Sequence, residues 1–406
     1  MWGLYIHIPF CERRCPYCDF FSTEGFSEAE MELYCSYLLK EIEFFREIIY
    51  KKDFIQSIYI GGGTPSYAPV NAITAIVKKI FNDFPAADDC EVTIEVNPKS
   101  ALGDNLILYH KAGINRMSVG AQSLVPEELR VLNRPRASPS SRDPDFSGLG
   151  ADDIFKTVKF ARKAGFTNIC MDIMFGIPEQ NLESLTKTLE GIIKIEPEHI
   201  SAYSLSLEPG VPMTEMIRTG KLILPDNEVT AEMFLLVRRM LQNAGYEHYE
   251  ISNYAKPGHR SRHNMNYWRR GCYYGFGLSA HSFNGEVRSW NTTDFNQYYA
   301  AVDSGKLPTA GAETLTPIQH INEEIMLSLR MSEGLSLREF EQRYGSVWRE
   351  LLQDAIDHFI ADNGSSYLHY EKEKLSLTEK GMVVSDRIIE QLIFNEKRVC
   401  CKTPDE

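Results

Sequence analysis

Three cysteines stand within eight residues, Cys11-x3-Cys15-x2-Cys18, while Cys35, Cys90, Cys170, Cys272, Cys400 and Cys401 are scattered. An odd total of nine, with one tight cluster, reads as metal ligation in a reducing compartment and not as a disulfide framework. Zinc sites usually complete a tetrahedron with paired C-x2-C knuckles or histidines, so three thiolates on one loop match an iron–sulfur cluster better. Three ligands for a four-iron cluster leave one iron open. An open iron can chelate the amino and carboxylate groups of S-adenosylmethionine, and an electron passed to the sulfonium then yields a carbon radical. Free structural thiols, or zinc with a remote fourth ligand, are the competing readings of the spacing alone.

A second set of polar residues is spaced along the same half of the chain. Gly61-Gly62-Gly63-Thr64-Pro65 offers backbone freedom and exposed N–H groups for close approach to a carboxylate or amine. Glu95, Gln122, Arg134 and Asp172 are suited to hydrogen-bonding a ribose, an amino group and a carboxylate around one pocket, though each alone is as readily a structural cap.

Positioning these residues falls to a βα rhythm running from residue 3 to about 225. Short β-rich runs at 4–8, 57–60, 92–96, 116–119, 168–173 and 199–205 alternate with amphipathic stretches such as 28–49 and 152–164, the latter closed by Gly165. Crossovers of this size make neighbouring strands parallel, and six units make an open or partial barrel. In such α/β architectures chemistry gathers at the C-terminal ends of strands, where all the polar motifs above are expected.

Three domains are expected: 1–227, the partial (β/α)6 barrel with the cluster and cofactor site; 228–315, a connector helix and a Gly-, Tyr- and Arg-rich segment without βα rhythm; and 316–406, a mixed α+β end. In that last part, helical stretches precede a strand-like pair at 367–370 and 374–377 and a final helix, the order of a winged-helix-like module. Residues 137–150 (ASPSSRDPDFSGLG) read as a surface loop. Apolar residues at 43% and charged residues at 24% are ordinary for a globular chain, which excludes wholesale disorder. A net charge of −13, and mixed charge signs at the C-terminal end, argue against nucleic-acid binding. No window approaches the roughly 18 apolar residues of a membrane helix, and the N-terminus lacks signal-peptide features, so a cytoplasmic location is expected.

The chain resembles the radical S-adenosylmethionine superfamily, and within it the oxygen-independent coproporphyrinogen III oxidase-like family. The likeness runs nearly end to end: Tyr5-Ile6-His7-Ile8-Pro9-Phe10-Cys11, 61–65 (GGGTP), 95–98 (EVNP), 120–123 (GAQS), 172–178 (DIMFGIP) and 375–381 (LSLTEKG). The resemblance implies that Cys11, Cys15 and Cys18 bind a 4Fe–4S cluster. It also implies that Tyr5, Gly62, Gly63, Thr64, Glu95, Gln122, Arg134 and Asp172 line the S-adenosylmethionine site, with His7 in a core or supporting role. The family often has a histidine where this chain has Arg136, and 137–150 looks inserted.

That family divides into true oxidases and a sister group of heme chaperones, the HemW group. The oxidases carry a further cysteine two residues after the third, where this chain has Phe20, and a longer segment before the cluster. The chaperones resemble one another in an H-N-x-x-Y-W motif, present as His263-Asn264-Met265-Asn266-Tyr267-Trp268. Its chemistry suits heme: His263 to ligate iron, Tyr267 or Trp268 to stack, and Lys256, Arg260, Arg262, Arg269 and Arg270 for the propionates. A solvated loop with two aromatics tucked into the core is the bland alternative. Gly275-Phe276-Gly277-Leu278-Ser279-Ala280-His281-Ser282 reads as a structural turn, with His281 a lesser candidate ligand. The resemblance implies heme as cargo, a recipient hemoprotein and an electron donor as partners, and leaves a homodimer open. Oxidative decarboxylation of coproporphyrinogen III is the alternative activity.

Overall fold

The computed structural model describes residues 2–48, 54–98, 100, 103–132, 150–371 and 373–395. Arg134, Arg136, residues 137–149, Cys400 and Cys401 lie outside them. Six parallel strands follow one another in space as in sequence: β1 (Trp2–Ile8), β2 (Ile55–Gly62), β3 (Ala86–Val96), β4 (Arg116–Gln122), β5 (Asn168–Phe175) and β6 (His199–Ser204). Helices such as Glu28–Ile48, Val70–Asp83, Ala151–Ala164 and Leu182–Ile195 carry the crossovers. Both faces of these strands are covered, which is why they read as near-continuous apolar runs; Leu4, Ile6, Ile8, Ile58, Ile60 and Ile94 have no exposed surface. Gly165 closes Ala151–Ala164 at φ 105°, the left-handed cap that favours glycine.

The six strands are part of a larger sheet. After the helix Asn227–Asn243 come β7 (Glu247–Glu250), β8 (Asn253–Ala255), β9 (Tyr273–Phe276), β10 (His281–Phe283), β11 (Val287–Asn291) and β12 (Thr309–Thr314). Together the twelve run in the order β12-β11-β10-β9-β1-β2-β3-β4-β5-β6-β8-β7. Residues 228–315 thus extend both edges of the same sheet. Strand β9 lies parallel to β1, pairing Gly3 with Tyr273, and adds a seventh parallel strand. Strands of three to six residues hold too few alternations to show a period, so this part lacked a readable rhythm.

The C-terminal part has its own core, built on Ile325, Phe340, Ile356, Leu375 and Leu392. Helices Pro317–Arg330, Leu337–Tyr344 and Ser346–Asn363 pack with a small antiparallel sheet of β13 (Leu335–Ser336), β14 (Leu368–Glu371) and β15 (Lys374–Leu377), followed by Glu379–Val383 and Ser385–Leu392. The expected strand pair is β14 and β15, in register Leu368 to Leu377. Among the described residues no helix is long and apolar enough to cross a membrane.

One buried acid ties the first helix to the turn before β10. Glu41, 2% exposed, accepts hydrogen bonds from the Tyr298 hydroxyl at 2.6 Å, the Gly277 N–H at 2.9 Å and Asn291 Nδ2 at 3.0 Å. Burial pushes its carboxyl up to about 7 against the pull of those donors. The folded value exceeds the unfolded one of about 4.3, so the stability this group contributes is present below about pH 4.3 and is lost as pH rises through about 7. Relative to Glu41→Gln, the wild type is expected to lose up to about 1.4 kcal/mol per pH unit across that window. Urea denaturation of both proteins at several pH values measures it, and a pH-independent difference would refute it.

Candidate functional site

The loop after β1 is held closed at its neck before any ligand is considered. Cys11 N–H donates to Thr23 O at 2.8 Å and Thr23 N–H to Pro9 O at 2.7 Å. Its far side is tied down where Met213 N–H donates to Pro16 O at 2.9 Å. Within it Cys18 N–H meets Cys15 O at 3.1 Å, and Cys11 Sγ lies 3.5 Å from Thr64 Oγ1. All three thiols line one cavity of about 390 Å³, together with Gly62, Gly63 and Thr64. Burial pushes the Cys18 thiol up to about 11, with Cys15 and Cys11 adding to the rise, a cost that bound iron would reverse by stabilising the thiolates.

Among the described residues no three His, Cys, Asp or Glu side chains converge as a single metal ion requires. A cubane spreads its cysteine ligands over separate irons, so three thiols on one loop fit a cluster better than one zinc ion, whose tetrahedron would need a fourth donor beside them.

The glycine run has a different task from the one its sequence indicated. Its N–H groups are already used: Gly62 N–H donates to Glu95 Oε2 at 3.2 Å, Gly63 N–H to Ile8 O at 2.9 Å and Thr64 N–H to Phe10 O at 2.8 Å. A Cβ on Gly63 would stand 2.8 Å from Phe10 O, so the residue is glycine because the cysteine loop leans on it. The run braces the loop instead of presenting free donors to a ligand.

Glu95, Gln122 and Asp172 line the same cavity, from β3, β4 and β5. Tyr59 donates to Glu95 Oε1 at 2.8 Å. Burial, reinforced by Asp172, pushes the Glu95 carboxyl up to about 7. An ammonium group in the cavity would draw that proton off and bind the carboxylate. Asp172 accepts from Ser118 Oγ at 2.8 Å, which fixes its orientation. Gln122 has φ 65°, where the register of β4 against β5 shifts, and this irregularity turns its side chain into the cavity. Arg116 also lines the cavity; it is 2% exposed, and its Nε has no hydrogen-bond partner. Sequence reading passed over it, although a charge opening an apolar strand was the available signal. Tyr5, expected here, lines a neighbouring cavity instead and donates to His7 Nδ1 at 3.0 Å.

The H-N-x-x-Y-W motif forms the helix Arg262–Trp268, capped by Ser261, and its side chains part company. His263 is 1% exposed, with Nδ1 at 2.9 Å from Ser57 Oγ, Nε2 at 2.8 Å from the Tyr267 hydroxyl and its ring stacked on Tyr59. Burial, with Arg116 nearby, lowers its pKa to about 3. Both ring nitrogens are engaged, so the structure does not present His263 as an open iron ligand. Asn264 faces the cysteine-lined cavity and Tyr267 the neighbouring one. Trp268 packs against Tyr249, Ala255, Met265 and Met331, beneath the Arg330 guanidinium. The expected basic island is spent on internal pairs: Arg260 with Glu247 and Glu333, Arg262 with Asp89, Arg269 with Glu333 and Arg270 with Glu323 and Glu324, while Lys256 donates to Glu196 O.

A family model described as the radical SAM superfamily matches residues 5–192, and one described as the HemN C-terminal domain matches 315–384. Heme chaperone HemW of Mycobacterium tuberculosis is 30% identical over 393 residues, 96% of this chain and 94% of that protein. Heme chaperone HemW of Bacillus subtilis is 31% identical over 392 residues, 96% of this chain and 98% of that one. Among solved structures, coproporphyrinogen III oxidase (HemN) from Escherichia coli, a radical SAM enzyme, aligns with 97% of this chain and 90% of its own, with TM-score 0.81 and 22% identity. That likeness shows a shared fold, and the end-to-end sequence matches show kinship: the chain belongs to the heme chaperone HemW family of the radical SAM superfamily.

Proposed function

We propose that the chain is a heme chaperone of the radical S-adenosylmethionine class. It holds a 4Fe–4S cluster on Cys11, Cys15 and Cys18, binds S-adenosylmethionine beside it, and keeps heme for transfer to a recipient hemoprotein, with an external electron donor. The observation that carries this reading is convergence: thiols from the loop after β1 and polar groups from the ends of β2, β3, β4 and β5 meet in one cavity. When bound, cluster and cofactor supply one-electron cleavage of the sulfonium. The chain's own residues do the rest. Glu95, steadied by Tyr59 and Gly62, takes the ammonium; Asp172, steadied by Ser118, and Gln122 accept and donate to hydroxyls; Arg116 offsets the two partly buried carboxylates. The family resemblance adds Arg134, which lies outside the described residues, to this set. The reading places the protein in the cytoplasm, a reducing compartment in which the three loop thiols stay available to iron.

Phe20 stands where the oxidases of the family have a further cysteine, and it is 72% exposed beside the cavity. A shared fold with an oxidase does not carry its reaction. The discriminating experiment uses anaerobically reconstituted protein with reductant and S-adenosylmethionine. Stoichiometric hemin binding, passage of that heme to an apo-hemoprotein, and no protoporphyrinogen IX from coproporphyrinogen III are expected. Multiple turnovers of the porphyrinogen would overturn the chaperone reading.

A further inference from the structure

A second cavity of about 500 Å³ adjoins the first, with Asp19 and Phe20 bordering both. Its size falls within the roughly 300–1,000 Å³ of small-molecule sites. Much of its wall is aromatic, formed by Phe20, Tyr267, Tyr273 and Phe283. Two non-glycine residues in its lining, Arg270 and Ser279, are held in the left-handed region at φ 55° and 59°. Strained backbone of that kind persists where the surroundings over-determine it, often at ligand sites.

Three histidines lie in or against this cavity, and they differ in what their nitrogens are doing. His7 has Nδ1 on the Tyr5 hydroxyl and Nε2 on Phe21 O at 2.9 Å. His263, behind Tyr267, is engaged at both nitrogens. His281, at the start of β10, is exposed, and its ring makes no hydrogen bond among the described residues; its ring contact is a tilted one with Trp290 at 6.1 Å. Partial burial and Arg288 lower its pKa, which keeps the imidazole neutral and its lone pair available at neutral pH.

We propose that this second cavity is the heme site and that His281 is the iron ligand, with the macrocycle lying on the aromatic wall that Tyr267, Tyr273 and Phe283 provide. The proposal rests on the heme-chaperone reading and places the ligand 18 residues beyond the H-N-x-x-Y-W histidine. That motif keeps a part in it, because His263 orients Tyr267. The cations at the rim contribute little net charge: Arg288 is paired with Glu313 and Glu323, and Arg270 with Glu323 and Glu324. Affinity therefore comes mainly from the iron–nitrogen bond and the apolar wall, and salt is a minor variable.

The test is hemin titration of the full-length reconstituted protein, followed by Soret difference spectra and resonance Raman. His281→Ala is expected to weaken binding by about tenfold or more and to change the spin-state bands. His281→Met fills the volume and supplies a thioether, so a shifted but retained ligation signature is expected, and it keeps the test open should alanine disturb β10. Leu327→Trp, which narrows the cavity without removing the ligand, is expected to weaken binding while leaving the ligation bands of the bound fraction unchanged. Unchanged affinity and spectrum in both His281 variants would overturn this site while the chaperone reading stands. A wild-type protein that binds no hemin would overturn both.

Discussion

Cys15→Ala is expected to abolish the iron–sulfur chromophore of anaerobically reconstituted protein and, with it, cleavage of S-adenosylmethionine. The loss should exceed the roughly 10–100-fold that follows from removing a supporting contact around a metal, because on the proposed reading a ligand itself is gone. The fold should not notice: Cys15 is only partly buried, and substitutions at such positions usually change stability by less than about 0.5 kcal/mol. Cys170→Ala is the matched control. That thiol is fully buried, lies 2.9 Å from His199 Nδ1, and is not part of the cavity lining that Cys11, Cys15 and Cys18 share. Its removal should cost stability and leave the cluster in place. Iron and sulfide content, electron paramagnetic resonance of the reduced protein and chromatography of 5′-deoxyadenosine read the outcome. A Cys15→Ala protein that still holds a cluster would remove the loop from the ligand set.

The second large effect involves no ligand at all. Phe10 has no exposed surface, and its ring packs on Phe26 at 5.1 Å, edge-on to Tyr34 at 5.3 Å and near Phe295 at 6.4 Å. Phe10→Ala is expected to cost about 3–5 kcal/mol of unfolding free energy, the range for emptying a buried aromatic site. The same residue gives its carbonyl to Thr64 N–H and its chain direction to Cys11. Cluster loading should therefore fall in Phe10→Ala although every thiol remains. Phe10→Leu, which keeps most of the volume, should cost much less and restore loading. Urea denaturation of the metal-free chain measures the first effect, and a loss below about 1 kcal/mol would show that the aromatic cluster does not support the loop.

What the sequence made readable, and what it hid, follows from the range of the interactions involved. The cysteine spacing and the six long strands are local patterns, and they are found where residues 4–205 indicated. The hairpin of β14 and β15 was visible for the same reason. The glycine run misled, because its N–H partners Ile8 and Phe10 lie more than fifty residues away and no periodicity connects them. His263 misled for a related reason: a histidine in a polar motif looks available until Ser57 and Tyr59, from a distant strand, enclose it. Strands β7 to β12 were hidden by their brevity. The aromatic cavity escaped because its lining is gathered from three separate stretches, around residues 5–21, 267–288 and 323–327.

The parallel pairing of β1 with β9 has a consequence for how the protein is made. β1 leaves the ribosome before the other eleven strands of its sheet, yet one of its two neighbours is encoded about 270 residues later. At roughly 5–20 residues per second, translation leaves that edge uncovered for on the order of tens of seconds. An apolar strand with an unpaired edge invites pairing with other chains during that interval. The cysteine loop hangs from this same strand, so its final geometry waits for the last third of the polypeptide. Cluster loading is therefore expected only after residue 273 has emerged, and nascent chains stalled before it should aggregate and stay colourless, however much iron and sulfide are supplied.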